Sequence, residues 1–175
     1  MLLYENKVSA AFTDKVKKVS KNISVDPNWT MALIGFETAG TFSPSITNAL
    51  GYTGLIQFGE AAAKDLGTTT EALRKMNAIE QLDYVEKYYK LWYKRLGIKK
   101  ADSFVDMYLI TFFPLAVNKP LSFIIKSKSI SSQQIAKMNP VFDTNKDKSI
   151  TVAEIQNVML KRLPNEWFDT LKKKP

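Results

Sequence analysis

Apolar residues recur every three or four positions along much of the chain, which is the spacing of one face of an α-helix. The pattern predicts a first helix at about 8–23, whose apolar face comprises Phe12, Val16, Val19 and Ile23. Asp26 and Pro27 are typical of a helix start, so we expect a second helix from there that ends near Gly40.

A stretch rich in turn residues separates these two helices from the next group. Residues 40–58 predict a loop or short strands, because glycine, proline and asparagine recur through them. Helical patterns return at 59–66 and about 77–96, and a strongly apolar one runs from Asp102 or Ser103 to a stop at Pro114. The predicted fold class is mainly α.

The absence of two residue types narrows the chemistry. The chain has no cysteine and no histidine, which excludes disulfides, Ser-His and Cys-His catalysis and the commonest zinc sites. Acid–base catalysis must therefore use carboxylates, lysines or tyrosines, and we expect no cofactor for catalysis.

The net charge is strongly positive. Lys and Arg total 25 against 17 Asp and Glu, a formal charge of +8 that would attract nucleic acid, an anionic membrane or an anionic cell-wall polymer. The sequence has no glycine-rich phosphate loop and no compact basic helix, so we expect no nucleic-acid partner. No segment approaches the roughly 20 apolar residues that cross a bilayer, so we expect no transmembrane segment.

Glu37 is the candidate catalytic residue. It follows the apolar face of the second predicted helix and stands shortly before Gly40, beside a loop in which a polymer could lie. Partial burial against Trp29, Leu33 or Phe36 would raise the pKa of its carboxyl group. A general acid that cleaves a glycosidic bond needs this property. From spacing alone, a solvated glutamate is the more common outcome.

An ordered series of short motifs surrounds Glu37. It comprises Glu37-Thr38, then Phe42-Ser43-Pro44, then Gly54-Leu55-Ile56-Gln57-Phe58, then the alanines at 61–63 before Gly67. The series resembles that of the soluble lytic transglycosylases over residues 25–118. The resemblance implies a lysozyme-like helical domain at 1–128 that cleaves peptidoglycan.

The resemblance also implies roles for single residues. Glu37 would protonate the oxygen that links N-acetylmuramic acid to N-acetylglucosamine. Gln57 would hydrogen-bond the sugar, with a loop-stabilising amide as the alternative. Thr38, which stands where the family usually has serine, would bind substrate, and the backbone of Thr53, Gly54 and Leu55 would line the cleft.

Two further residues bear on the mechanism. Tyr108 corresponds to a family tyrosine that faces the catalytic acid, and the resemblance implies that it orients Glu37 or binds an N-acetyl group of the substrate. The asparagine and glycine that follow it in the family are missing, and a core tyrosine is the alternative. Glu60 is a candidate second carboxylate, with a structural role at a helix start as the alternative. Lytic transglycosylases use one glutamate and form a 1,6-anhydro sugar, whereas an inverting hydrolase needs two carboxylates. The sequence leaves this choice open.

A second motif occupies the C-terminal segment, residues 129–175. Oxygen-bearing side chains recur there at the spacing of an EF-hand calcium loop, namely Asp143, Asn145, Asp147, Ser149, Thr151 and Glu154. Lys148 stands where the EF-hand has a glycine in a left-handed turn, which costs energy and adds positive charge. We expect structural calcium in this loop, with an empty inherited turn as the alternative.

Two classes of function compete. The first is a lytic transglycosylase or lysozyme-type muramidase acting on peptidoglycan glycan strands, and the second is an inactive peptidoglycan-binding or calcium-stabilised interaction module. The start of the chain lacks the basic and apolar regions of a signal peptide. We therefore expect an enzyme acting on the wall, in the periplasm or outside the cell, to arrive through lysis, a phage particle or a secretion machine, or as part of a larger protein.

Overall fold

The structure, a computed structural model, describes residues 1–172, and residues 173–175 of the predicted C-terminal segment lie outside that part. Within it, nine α-helices and two 3₁₀ turns (Glu5–Lys7 and Pro114–Ala116) form, and β-structure is limited to isolated bridges. The 55% helix content confirms the predicted mainly α class. None of the helices described combines the length and hydrophobicity that a membrane span requires.

The chain divides into two compact units, residues 1–100 and the residues from 101 onward. The division differs from the boundary at 128/129 that the sequence suggests. It falls earlier because helix α6, Phe104–Phe112, contacts α8, Val152–Lys161. Helix α6 and the segment that follows it therefore belong to the second unit.

The first unit contains five helices: α1 Ala10–Asn22, α2 Pro27–Glu37, α3 Glu60–Asp65, α4 Thr70–Lys75 and α5 Ala78–Leu96. Helix α1 packs against both α2 and α5. Val16, Leu33 and Val85 contribute one fully buried side chain from each of these helices. The buried hydroxyl groups of Ser20 and Thr30 also join α1 to α2 across 2.7 Å.

The helix ends follow the capping residues that the sequence offers. Asp26 accepts a hydrogen bond from the backbone N–H of Asn28 at 2.7 Å, and Pro27 occupies the first position of α2. Helix α5 starts with a reciprocal capping box formed by Asn77 and Glu80. The helices predicted at about 8–23 and 77–96 are confirmed to within two residues at each end.

The described part of the second unit contains α6, α7 (Ser132–Met138), α8 and α9 (Asn165–Lys172). Helix α8 contacts both α6 and α9. Tyr108 and Phe112 stack with ring centroids 5.6 Å apart, and Phe142 joins them 5.3 Å from Phe112. An antiparallel bridge between Ile124 and Thr151 connects the segment after α6 to the start of α8.

Candidate active site

Glu37 is the last residue of α2 and stands where the helix leaves the core. The residues from Trp29 to Gly35 are buried, while Glu37 keeps partial contact with solvent. Protein nevertheless surrounds the carboxyl group closely, and this burial raises the pKa of Glu37 to about 8. Within residues 1–172, no hydrogen bond or ion pair reaches the carboxyl group. At neutral pH it therefore holds a proton that it can donate.

Aromatic side chains of α5 lie near Glu37. The Glu37 carboxylate helps to raise the pKa of both Tyr88 and Tyr89, although burial is the largest cause in each case. Tyr88 also packs edge to face against Phe58, with 6.1 Å between ring centroids. The acid therefore lies beside an aromatic cluster, whose low polarity favours the neutral carboxyl group.

The tyrosines that the first unit brings near Glu37 are Tyr88 and Tyr89, whereas the sequence assigns this place to Tyr108. Tyr108 belongs to α6 of the second unit, where it is buried and stacks on Phe112. Its contact with Glu37 stays a prediction. The sequence does carry a signal for Tyr88, because tyrosines and tryptophan recur every four residues along α5, at 84, 88 and 92.

Thr38 shapes the turn that follows Glu37. Its side chain is fully buried, and its hydroxyl donates to the backbone carbonyl of Ile34 at 2.7 Å. The same oxygen accepts a hydrogen bond from the backbone N–H of Phe42 at 3.0 Å. Thr38 thus holds the turn in place through its hydroxyl group, and the substrate contact expected from the sequence stays a prediction.

Residues 53–58 form a tight turn closed by an antiparallel bridge between Thr53 and Phe58. The two backbone N–H···O bonds of this bridge measure 3.0 and 2.7 Å. Thr53 is fully buried, and its hydroxyl lies 2.9 Å from that of Thr47. The Thr53 side chain therefore stabilises the loop from inside, so any contact of this residue with substrate is left to its backbone.

Gln57 lies at the partly exposed end of this turn, in a left-handed conformation with φ 53°. Its amide nitrogen donates to the backbone carbonyls of Gly54 and Ile46 at 3.1 and 3.3 Å. These bonds match the loop-stabilising alternative. Within residues 1–172 no donor reaches the amide oxygen of Gln57. That atom can accept a hydrogen bond from a ligand.

Gln81 of α5 holds these loops together, although no motif of the sequence points to it. Its fully buried amide oxygen accepts a hydrogen bond from the N–H of Leu55 at 2.6 Å. Its amide nitrogen donates to the carbonyls of Pro44 and Leu73 at 2.9 and 2.8 Å. Gly54 has φ 81°, and a Cβ atom there would overlap the Gln81 side chain. Nothing in the sequence distinguishes Gln81 from a solvated glutamine in the first turn of a helix.

The other two carboxyl groups near the motif series are exposed. Glu60 is the exposed first residue of α3, where a negative charge complements the helix dipole. Asp65 pairs with Arg95 at 2.7 Å, and this hydrogen bond lowers the pKa of Asp65. Of the three groups, Glu37 alone is enclosed by protein.

The backbone of the predicted calcium loop follows an EF-hand-like course despite its lysines. Lys148 adopts φ 66°, the left-handed conformation that the EF-hand glycine takes, and Lys146 adopts φ 59°. The N–H of Lys148 donates to the Asp143 carboxylate at 3.2 Å. The amide oxygen of Asn145 accepts from the N–H of Asp147 at 2.9 Å.

The carboxylates of this loop bond mainly to the loop itself. Asp147 accepts from the N–H and hydroxyl of Ser149, and Glu154 accepts from the N–H and hydroxyl of Thr151. In the described part of the chain, no three Asp, Glu, His or Cys side chains are arranged as a metal site. However, the Oδ1 atom of Asp143 is buried without any donor. A cation would compensate the desolvation of that oxygen, and the donor set suits a hard cation.

Comparison with known proteins finds no relative: no family model, no curated protein and no solved structure matches this chain. The candidate site is therefore defined by its own geometry. It consists of the protonated Glu37 at the end of α2, the turn at 53–58, and Tyr88 and Tyr89 of α5.

Proposed function

We propose that the first unit is a lysozyme-like domain that cleaves the β-1,4 bond between N-acetylmuramic acid and N-acetylglucosamine in peptidoglycan. The proposal rests on one observation about the Glu37 carboxyl group. Burial raises its pKa to about 8, while Glu37 keeps partial contact with solvent. A general acid needs both a proton at neutral pH and access to its substrate. The motif series around Glu37 supports peptidoglycan as the substrate.

In the proposed mechanism Glu37 donates its proton to the bridging oxygen as that oxygen leaves the anomeric carbon of N-acetylmuramic acid. The Glu37 carboxylate then accepts a proton from the nucleophile. In a lytic transglycosylase this is the C6 hydroxyl of the same sugar, and in a muramidase it is water. Because Glu60 is exposed at the start of α3, we favour the route that uses a single carboxylate.

Digestion of purified peptidoglycan by the wild type and by Glu37→Gln tests this proposal, with products identified by mass spectrometry. We expect the substitution to lower the rate by about 10²–10⁴-fold. Anhydro-muropeptides would establish a transglycosylase, whereas reducing-end products would establish a hydrolase. Glu60→Gln is the matched control, because loss of activity there would return a second carboxylate to the mechanism.

Failure of the wild type to release any product, with or without calcium, would contradict the catalytic proposal. The alternative is then an inactive peptidoglycan-binding or interaction module. Co-sedimentation of the wild type with insoluble peptidoglycan then tests the binding module, because such a module is retained by the polymer although it releases no product.

A wall-cleaving enzyme acts in the periplasm or outside the cell. We propose a phage particle, a lysis system or a secretion machine as the means by which this unit reaches the glycan strands. The formal charge of +8 supports adhesion to an anionic wall polymer.

We also propose that residues 143–154 bind calcium as a structural ion. The buried Asp143 oxygen without a donor favours this, because the ion would supply the missing positive partner. The ligands would come from Asp143, Asn145, Asp147, Ser149, Thr151 and Glu154. Calcium at millimolar concentration should raise the Tm of the wild type and not that of Asp143→Asn, with magnesium as the control. An unchanged wild-type Tm would contradict the proposal.

A further inference from the structure

The turn at 53–58 has one face toward the core and one toward solvent. Thr53 and Phe58, the bridged pair, are both buried. Side chains alternate across an extended pair of strands, so the flanking residues Tyr52 and Gly59 lie on the opposite face. Tyr52 is 44% exposed, and Gln57 of the same turn is partly exposed. An aromatic ring and an amide of the same short segment are therefore both accessible at the surface.

Hydrogen bonds hold the segment that carries Tyr52. The side-chain oxygen of Asn48 accepts from the N–H groups of Leu50 and Tyr52 at 2.9 and 3.1 Å. The backbone N–H of Asn48 donates to the carbonyl of Tyr52 at 3.0 Å, and that of Gly51 donates to the carbonyl of Asn48 at 3.0 Å. The backbone of this segment is therefore already ordered in the absence of a ligand.

The ring of Tyr52 rests on the backbone of Gly59. A Cβ atom at position 59 would lie 2.8 Å from Cε1 and 3.2 Å from Cδ1 of that ring. Only glycine allows this close approach. The ring is therefore supported from below by the start of α3 while 44% of the residue stays exposed.

We infer that Tyr52 is a sugar-binding platform, on which a pyranose ring of the glycan packs next to the Gln57 amide oxygen. The inference rests on the proposed function, because it names the part of the site that holds the glycan. The C–H groups on one face of a pyranose are apolar and pack on an aromatic face. The hydroxyl and acetamido groups at the rim of the sugar need an acceptor, which Gln57 provides. A fixed tyrosine also loses little conformational entropy on binding.

Binding of the N-acetylglucosamine hexasaccharide to Glu37→Gln, measured by calorimetry, tests the inference without turnover. Adding Tyr52→Ala should weaken binding about tenfold, and Tyr52→Phe should change it less than about threefold. Tyr84→Ala is the matched control, because Tyr84 is a partly exposed tyrosine of α5 that packs against Lys87. With Glu37 intact, Tyr52→Ala should raise KM for peptidoglycan more than it lowers kcat.

Unchanged affinity for the hexasaccharide in Tyr52→Ala would overturn the inference, even if Glu37→Gln abolishes cleavage. Absence of hexasaccharide binding by the Glu37→Gln parent would overturn it as well. Tyr52-dependent binding by a protein that cleaves nothing would support the platform and contradict the catalytic proposal. Loss of binding to anionic phospholipid vesicles, with hexasaccharide binding retained, would assign Tyr52 to a membrane surface and not to glycan.

Discussion

The end of α2 and the start of α8 each hold a glutamate enclosed by protein, and the pKa values of the two carboxyl groups shift in opposite directions. Burial raises the pKa of Glu37 to about 8. Glu154 is only 8% exposed, and burial is also the largest single influence on it. Its pKa is nevertheless lowered, because hydrogen bonds from Thr151 and Thr144 together outweigh burial.

Hydrogen-bond donors account for the difference. The N–H and hydroxyl of Thr151 approach Glu154 at 2.9 and 2.8 Å, and those of Thr144 at 3.2 and 3.1 Å. At the turn after Glu37, the Thr38 hydroxyl donates to the backbone carbonyl of Ile34 and so offers no hydrogen bond to the Glu37 carboxyl group. A buried carboxyl group that accepts several hydrogen bonds is therefore stabilised as the carboxylate. A buried carboxyl group that accepts none keeps its proton at neutral pH.

The largest expected effect comes from removing the acid at the end of α2. Between pH 4.5 and about 8 the folded wild type keeps the Glu37 proton, while the unfolded chain has lost it. Wild-type stability therefore falls as pH rises through this window. We expect the free energy of unfolding of Glu37→Gln to rise relative to that of the wild type by on the order of 3–5 kcal/mol between pH 4 and pH 9. Urea unfolding across that range measures the difference.

Glu71→Gln controls for the loss of a glutamate as such. Glu71 is exposed and paired with Lys75, and its pKa is lowered mainly by that hydrogen bond. Its replacement should not reproduce the gain in stability at high pH. Parallel stability curves for the wild type and Glu37→Gln would contradict the comparison between the two glutamates, because both carboxyl groups would then ionise in the folded state.

A second enclosed acid can be created at Gln81. Gln81→Glu would place a carboxyl group against one N–H donor, that of Leu55, and two carbonyls, those of Pro44 and Leu73. A carboxylate cannot donate to either carbonyl, so we expect a loss of about 3 kcal/mol at pH 7. The loss should be smaller at pH 4, where the protonated acid can donate one bond. Urea unfolding at both pH values measures it.

The control for Gln81→Glu is a buried polar residue that does not titrate. Thr30→Val removes the buried hydrogen bond to Ser20, which measures 2.7 Å, and should lower stability equally at pH 4 and pH 7. If the loss of stability caused by Gln81→Glu is also equal at pH 4 and pH 7, a carboxyl group at position 81 does not behave like that of Glu37.

Local pattern accounts for the helices and for the position of Glu37. The capping pair Asp26 and Pro27 places the start of α2, and the apolar face of that helix places Glu37 at its end. Both depend only on residues close in sequence, so the sequence suffices to predict them. The same holds for the loop at 143–154, where the spacing of oxygen side chains already indicates the turn.

The rest depends on contacts between residues distant in the chain. Gln81 bonds to Pro44 and Leu55, which lie 37 and 26 positions away in the chain. The spacing of apolar residues along a helix carries no information about such distant contacts. The motif series marks Thr38 and Thr53 as positions of the site, but it does not reveal that both side chains are fully buried and hydrogen-bonded within the loops. A motif indicates which positions matter, but it does not distinguish a residue that touches a ligand from one that supports the loop.

A smaller effect is expected from removing a donor at the start of α8. Thr151→Ala should cost about 1 kcal/mol at pH 7, because the hydroxyl both caps α8 and donates to Glu154. A lowered folded-state pKa contributes stability above the unfolded pKa, and this contribution disappears as pH falls through the folded value. The cost should therefore shrink on acidification, opposite in sign to the Glu37 effect. Thr151→Ser, which keeps the hydroxyl, is the control.

The smallest expected effect concerns the backbone that holds the Glu154 loop. Lys148 has φ 66°, a conformation that a side chain disfavours and glycine adopts readily. Lys148→Gly should stabilise the protein by about 0.5 kcal/mol in thermal unfolding, whereas Lys148→Ala removes the charge and keeps the strain. A gain from glycine alone would assign the cost to the backbone. An equal gain from alanine would assign the cost to the positive charge of Lys148. Electrostatic repulsion, and not backbone strain, would then be the unfavourable contribution in the loop that holds the donors around Glu154.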